Sequence, residues 1–540
     1  MRHVPVLVVG GSSVGLSAGL FLGKHEIPAL IVERHAELSA HPRATAISQR
    51  SREMFREVGL EQRVLDASQS TALGGKIKVT SLAEADLASI PRARRPRAEL
   101  ARESDAFTPA VLGGPCPQHL LDPILREGML ARGGELRTST ELVAVEQNAD
   151  AVTATLLDRT DGSRFQVTAD YLVAADGASS PTRRMLGVDT HGRGGLGDHL
   201  VNILFRADLG ELVRGYEFTV CEIDGPRLKG GLLPVDQGGT SWVFHTSYDP
   251  GRGESPQDFT PERCTELIRL AAGVPDLKVE VRSVLPWRMA ASIAGEFRQG
   301  RCFLVGDAAH VTPPMGGFGL NTGIADAHNL AWKLALVLRG RASASLLDSY
   351  DSERRPVARF AMEQSLLRLD HPQLHWDDNA GAERASVGMV NLNVAHLGFS
   401  YVSDAIVEPR ELLASTENVE LCLDGAPGTR VPHAWIGVRG ERSSTLDLLD
   451  SRFTVLAGPR GAAWCEAAVE AGVALGIEIN AYRIGGEETS DDGDWPGRTG
   501  LKPTGAVLVR PDGYVAWRSA GGGADPRAEL ARVLARVLGR

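Results

Sequence analysis

Cysteine chemistry is almost absent from this chain. Its six cysteines, Cys116, Cys221, Cys264, Cys302, Cys422 and Cys465, are scattered, with no C-x-x-C pair and no metal-ligand spacing. That excludes a disulfide framework, a zinc or iron–sulfur site and dithiol redox chemistry, and it fits reduced thiols in a cytoplasm. Long apolar runs are missing as well: nothing approaches the roughly 18 residues needed to span a bilayer. Val4 to Val9 is too short for a signal-peptide core and leads straight into a glycine-rich turn. Positive charge is not in excess. A formal net charge of −10 argues against nonspecific nucleic-acid binding and against an anionic membrane surface. Basic clusters such as Arg92-Ala-Arg-Arg-Pro-Arg97 exist, but this one sits beside Glu99, Glu103 and Asp105 and reads as a solvated loop.

What is present is a globular composition, 43% hydrophobic and 23% charged, on 540 residues, enough for two or three domains. The most informative stretch is Gly306 to Gly323, GDAAHVTPPMGGFGLNTG. A strand-like run, Arg301 to Val305, feeds into it, and an alanine-rich helical stretch, Ile324 to Leu338, follows. Glycines let backbone N–H groups approach a planar ligand, and Asp307 at a strand end can accept from sugar-alcohol hydroxyls. The helix is expected to start near Leu320-Asn321, with its positive end toward whatever the loop holds. Such a cradle suits a flavin, whose N1–C2=O edge becomes negative on reduction.

Two further segments point the same way. The β-branched run Val4 to Val9, the turn Gly10-Gly-Ser-Ser-Val-Gly15, a helix over Val14 to Lys24 and a second strand, Ala29 to Glu33, form a βαβ start. Ser12 stands where the dinucleotide fingerprint has its second glycine; it is small, and its hydroxyl can itself donate to phosphate. Glu33, 18 residues past Gly15 at a strand end, is placed to accept from ribose hydroxyls. Farther on, Tyr171-Leu-Val-Ala-Ala-Asp176-Gly-Ala-Ser179-Ser-Pro-Thr-Arg183 is a buried strand ending in D-G-x-S…R.

Taken together, GDAAH…PP…G.G.N.G…DA.NLAWKL, the βαβ start and the DG segment resemble the FAD-dependent aromatic hydroxylases, the single-component class A flavoprotein monooxygenases. The resemblance implies an α/β (overall α+β) fold: a Rossmann-like FAD-binding domain, an interleaved β-sheet substrate domain and a C-terminal thioredoxin-like domain. On this basis the FAD domain is expected over 1–75, 100–190 and 290–370, and the substrate domain over 76–99 and 191–289. A linker is expected over 371–430 and the thioredoxin-like unit over 431–540. The resemblance also implies FAD-binding roles for Gly10, Ser12, Ser13, Gly15, Glu33, Arg34, Arg43, Gln118, Val143 and Asp176. In the loop and helix it implies them for Gly306, Asp307, Pro314, Gly316, Gly317, Gly319, Leu320 and Asn321. No metal is expected.

The implied chemistry is that NADPH or NADH reduces FAD, oxygen adds at flavin C4a as a (hydro)peroxide, and one oxygen atom passes to a small aromatic substrate. Length and three-domain layout resemble the hydroxylases that tailor aromatic polyketides. Baeyer–Villiger or oxidative-rearrangement enzymes would use the same motifs, and a non-catalytic FAD- or ligand-binding protein would share the cradle. A halogenase is disfavoured because W-x-W-x-I-P is absent, Pro286-Trp-Arg being the nearest fragment. The chemistry resides in the cofactor, so no Ser–His–Asp set is required. A homodimer is the assembly weighed for such a chain.

Between Gly192 and Trp287 the sequence is strand-rich, with Val201–Asp208, Leu228–Val235 and Ser241–Tyr248 as examples. In Ser241–Tyr248, alternation puts Trp242, Phe244 and Thr246 on one face and His245 on the other. One face should roof the substrate cavity. Candidates for a base acting on a phenol are Tyr216, His245 and Arg288, by residue type and region, with a structural role for His245 the alternative. His310 is read as fixing its loop. In the C-terminal part, Arg452 to Ala457 reads as a strand and Gly461 to Leu475 as a helix. A hairpin is expected around Pro511-Asp-Gly513, and an amphipathic helix over Pro526 to Leu538.

Overall fold

Val6, Leu7 and Val8 have no solvent-accessible surface on either face of their strand. That is the pattern of a central parallel strand covered by helices on both sides. In the computed structural model, which describes residues 2–68, 75–90, 97–216, 218–236, 239–377, 379–486, 489–491 and 494–540, this strand is Arg2–Val9. It pairs in parallel with Ala29–Val32 on one side and Arg164–Ala174 on the other. Glu135–Arg137 and Cys302–Leu304 extend the parallel order outward. The strands Thr140–Gln147 and Val152–Asp158 form an antiparallel meander against Arg164–Ala174, and Arg298–Gln299, antiparallel to Cys302–Leu304, completes eight strands. Helices Ser13–Lys24, Gln118–Leu130 and Phe318–Leu338 pack on this sheet. Each fully buried Val or Leu there contributes roughly 1.5–3 kcal/mol.

The second sheet has seven strands. Thr190–Arg206 and Glu280–Ala294 are its long central pair, and both reach back to the first sheet's neighbourhood, where His310–Val311 joins the edge. Ser241–Tyr248, Lys229–Pro234, Val220–Asp224 and Lys76–Val79 complete it. Trp242 and Phe244 pack with Ile203, Phe205, Cys264 and Ile268, beneath helix Pro261–Ala272. The Trp242 face is therefore the hydrophobic interior. Asn202, Val243, His245 and Trp287 belong to the opposite face, where Trp287 Nε1 donates to Asn202 Oδ1 at 2.8 Å.

Residues 371–430, expected as a linker, carry the short helices Pro372–Trp376, Gly381–Ser386, Leu392–Leu397 and Val419–Cys422. Val390, Val394, Leu397 and Cys422 are buried with Phe107 and Phe318, so this stretch packs on the larger body. Beyond it, Phe453–Ala457 pairs in parallel with Ile479–Arg483 and antiparallel with Ala506–Val509, which pairs with Val515–Ser519. Helices Ala462–Leu475 and Pro526–Val537 cover this four-stranded sheet. The basic run read as a solvated loop lies, apart from Arg97, outside the described residues. Among the described residues, no helix is long and apolar enough to cross a membrane, and no cluster of candidate metal ligands occurs.

Candidate active site

Three segments far apart in the chain meet at the ends of the parallel strands. Gly10 leaves the first strand at φ +109°, and its N–H donates to Val32 O at 2.8 Å. Gly15 lies directly on the Gly10 carbonyl, which a side chain at 15 would displace. Glu33, at the end of the second strand, accepts the Gly11 N–H at 2.8 Å and the His35 N–H at 2.9 Å. The DG segment arrives through Ala175 N–H, which donates to Val9 O at 2.8 Å. Arg183 then reaches the third segment, donating to Ala308 O at 2.7 Å. Gly306 packs against Val14, with a virtual Cβ at 3.0 Å from its methyl.

Asp307 has an accessible side chain, yet protein surrounds it closely enough that burial pushes its carboxyl above the ordinary value, with His310 and Arg43 pulling the other way. Both hold when a carboxylate lines the floor of a deep open cleft. Open space also lies beside Gly177 and Gly319, where an added Cβ would meet nothing within 4 Å. The residues present therefore fit an extended nucleotide: a glycine-lined channel, acid groups at two strand ends and one positive helix end. That helix begins at Phe318, earlier than expected, because Gly317 at φ +66° takes the left-handed N-cap position. The N–H groups of Phe318, Gly319 and Leu320 consequently have no carbonyl of their own helix to bond.

Ser12, Ser13, Gln118 and Asp122 form a tight polar group at the start of the first helix. Gln118 Nε2 donates to Ser12 Oγ at 2.5 Å and to Asp122 Oδ2 at 3.2 Å, and the Ser13 hydroxyl donates to Asp122 Oδ1. Ser12 Oγ accepts here, and its hydroxyl also bonds the Asp122 carboxylate, so Ser12 is a full member of this group. Burial pushes the Asp122 carboxyl up to about 6, against the lowering effect of its Ser13 and Gln118 hydrogen bonds. Asp122 escaped the sequence reading; its i+4 spacing from Gln118 on one helix face was the available signal.

Other residues are placed differently. The side chain of Asn321 is consumed within the chain: it accepts from Ser48 N and Ser51 Oγ and donates to Ala46 O and Gly317 O. Asp176 accepts from the Ser180 hydroxyl and from Thr182 N–H, fixing the turn into helix Pro181–Met185. Arg34 is exposed and donates to His35 Nε2 at 3.2 Å. Arg43 is exposed too, but its charge acts on Asp122 and Asp307, which places it at the cleft. Val143 is half-buried at the bulge of its meander, and Pro314 and Gly316 lie in the loop ahead of the helix. His310 is buried, and its Nε2 lies 2.7 Å from Asp326 Oδ2, as a loop-fixing residue requires.

The three candidates for a base fall in different places. His245 is half-buried on the face opposite Trp242, its ring resting over Gly231. Burial keeps its imidazole below the ordinary histidine value, with Glu222 acting in opposition. Arg288 is exposed, with its guanidinium over Gly195. Tyr216 is 38% exposed, and its neighbours Val213 and Phe218 pack on the Trp242 side. Where the two sheets approach, the His41 ring stands beside the Asn202 backbone without a hydrogen bond of good geometry, and His119 lies within the field of Asp236.

Fold and cleft define a flavoprotein, and comparison with known proteins gives the family. Residues 3–365 match the FAD binding domain family, and residues 424–540 match the aromatic-ring hydroxylase C-terminal family. The chain is 39% identical to tetracenomycin A2 monooxygenase-dioxygenase of Streptomyces glaucescens, over 100% of this chain and 97% of that protein. It is 38% identical to aklavinone 12-hydroxylase of Streptomyces purpurascens, over 100% and 99%. The crystal structure of aklavinone-11 hydroxylase with FAD and aklavinone superposes with a TM-score of 0.88 at 36% identity, covering 100% of both chains. This chain belongs to the FAD-dependent aromatic-ring hydroxylases and is a flavoprotein monooxygenase.

Proposed function

We propose that this chain inserts one oxygen atom of O2 into an aromatic polyketide, with NADPH or NADH as the reductant and water formed from the second oxygen. The observation that carries the reading furthest is the accessible Asp307 at the floor of a cleft shared by three distant segments. Similarity along the whole chain to a tetracenomycin A2 monooxygenase-dioxygenase and to aklavinone hydroxylases supports the substrate class. FAD, when bound, supplies hydride acceptance and the activation of O2. Glu33 would hold the ribose hydroxyls, while the Gly10–Gly15 turn and Arg43 would take the diphosphate. Gln118 and Asp307 would take the polyol, and the N–H groups of Phe318, Gly319 and Leu320 the electron-rich edge of the ring. The sheet face with Asn202, Val243, His245 and Trp287 would position the aromatic rings and keep water out.

The FAD domain then comprises about 1–75, 100–190 and 290–370, and the substrate domain 76–99 and 191–289; the FAD segment His310–Val311 joins the edge of the second sheet and ties the two together. The sheet and two helices after residue 431 support a thioredoxin-like unit. Cys465 has no C-x-x-C partner, so that unit has no redox role, and six free cysteines support a cytoplasmic setting.

The test is a flavin spectrum on the purified protein, then NADPH consumption with candidate polyphenols and the mass and NMR of the product. Ring hydroxylation adds one oxygen with the carbon skeleton intact. A ring-expanded lactone would replace this reading by Baeyer–Villiger chemistry. Flavin binding without substrate-stimulated NADPH or NADH oxidation would leave only a ligand-binding protein.

A further inference from the structure

A chain of buried polar contacts runs from the C-terminal unit to the loop proposed above to hold the flavin. It begins at the turn Arg510-Pro-Asp-Gly-Tyr514, which is thrust between two helices of the first body. Arg510 donates to both Glu353 oxygens, at 2.5 and 2.9 Å, and to Asp512, and all three side chains are shut off from solvent. Lys333 and Asn329, on the helix that starts at Phe318, donate to the same Glu353 at 2.8 and 2.7 Å. Asn329 also reaches Asp512 at 3.2 Å, and Arg50 donates to the Asp512 carbonyl at 2.6 Å.

The next residue along the helix that holds Glu353 continues the path. Arg354 donates through Nε to Asp326 Oδ1 at 2.8 Å, through Nη1 to the Tyr401 hydroxyl at 2.9 Å and through Nη2 to Thr322 O at 3.1 Å. The Tyr401 ring lies on the Tyr514 ring, centroids 4.1 Å apart. At the far end, Asp326 Oδ2 accepts the Gly306 N–H at 3.0 Å and faces His310 Nε2 at 2.7 Å. Asp326 thus holds both sides of Asp307.

A buried ion array of this size is costly to desolvate and is weak evidence of stability gained. Apolar residues would close the same junction without that cost. What charges with fixed directional partners add is a single geometry, and this array ends on the backbone of the cleft loop. We propose that the Arg510–Tyr514 turn is a positioning element for the flavin site, acting through Tyr401, Arg354 and Asp326 on Gly306 to His310. The inference rests on the FAD reading of this cleft.

The experiment uses the full chain, stripped of flavin and titrated with FAD. Asp512→Asn removes one charge from the turn, and Tyr401→Phe removes a single hydroxyl and keeps the ring stack. Val473→Ser, at a position 81% exposed on the same unit, is the control. Both test variants are expected to raise the FAD dissociation constant between about twofold and about thirtyfold, the span of energetic coupling through such networks. They should also shift the flavin midpoint potential, and the control should change neither. If both variants melt at lower temperature with dissociation constant and midpoint potential unchanged, the array serves stability alone and the proposal is overturned. Should Asp512→Asn fail to fold, Tyr401→Phe decides by the same two readings. Failure of the wild-type chain to bind FAD overturns the reading of the cleft itself, and the coupling with it.

Discussion

The carbonyl oxygen of Ala175 occupies the space that a Cβ on Gly10 would need. Two strand ends 165 residues apart in sequence are thereby locked edge to edge, at a position where φ is +109°. Gly10→Ala should cost about 2 kcal/mol or more, from steric conflict and from backbone strain together. Urea unfolding of the flavin-free chain would show it as a lower midpoint, and a separate FAD titration of the folded variant should show weaker binding. An unchanged midpoint would mean that the turn relaxes freely.

Asp307→Ala should behave in the opposite way. The side chain is accessible, so the fold should survive with a melting temperature close to that of the parent. FAD affinity should fall by about tenfold or more, as expected for hydrogen bonds to a charged acceptor. Yellow, fully loaded variant protein would contradict this.

Asp122 supplies a pH dependence whose sign can be stated. Its carboxyl is raised from 3.8 to about 6, so the folded chain favours the protonated form. The group's stabilising contribution is present below pH 3.8 and is lost as pH rises through about 6. Asp122→Asn should remove that loss, worth at most about 3 kcal/mol. The melting temperature of the variant relative to the parent should therefore climb between pH 4 and pH 7. A difference independent of pH would show that Asp122 ionises normally.

Of the three candidates for a base, position on the sheet separates two. Tyr216→Phe should leave turnover within about twofold, because its surroundings belong to the exposed edge and the Trp242 side. His245→Ala should change the KM for the aromatic substrate by about threefold or more, since it reshapes the opposite face. The reverse outcome would place the substrate on the other side of the sheet.

Much of this site was legible in the chain because it is local. The turn after Val9, the acid at the end of the second strand and the glycine-lined loop at Gly306 are each written in a few consecutive residues. Steric rules for tight turns and strand ends govern them without outside help. Ser241–Tyr248 was legible for the same reason: alternation along a strand is a short-range property.

Other features depended on partners distant in sequence. Nothing near Asn321 says that its side chain is consumed by Ser48 and Ser51. Alternation sorted Trp242 from His245, but only helix Pro261–Ala272 decides which face is interior. The segment 371–430 resembles a linker by composition, and its burial comes from Phe107 and Phe318. The residues at Arg510 to Tyr514 read as an ordinary turn, and tertiary packing puts their charges against Glu353. Local sterics and periodicity fix what a segment is; which segment it meets, and hence what its polar groups are left free to do, is settled only when the chain closes on itself.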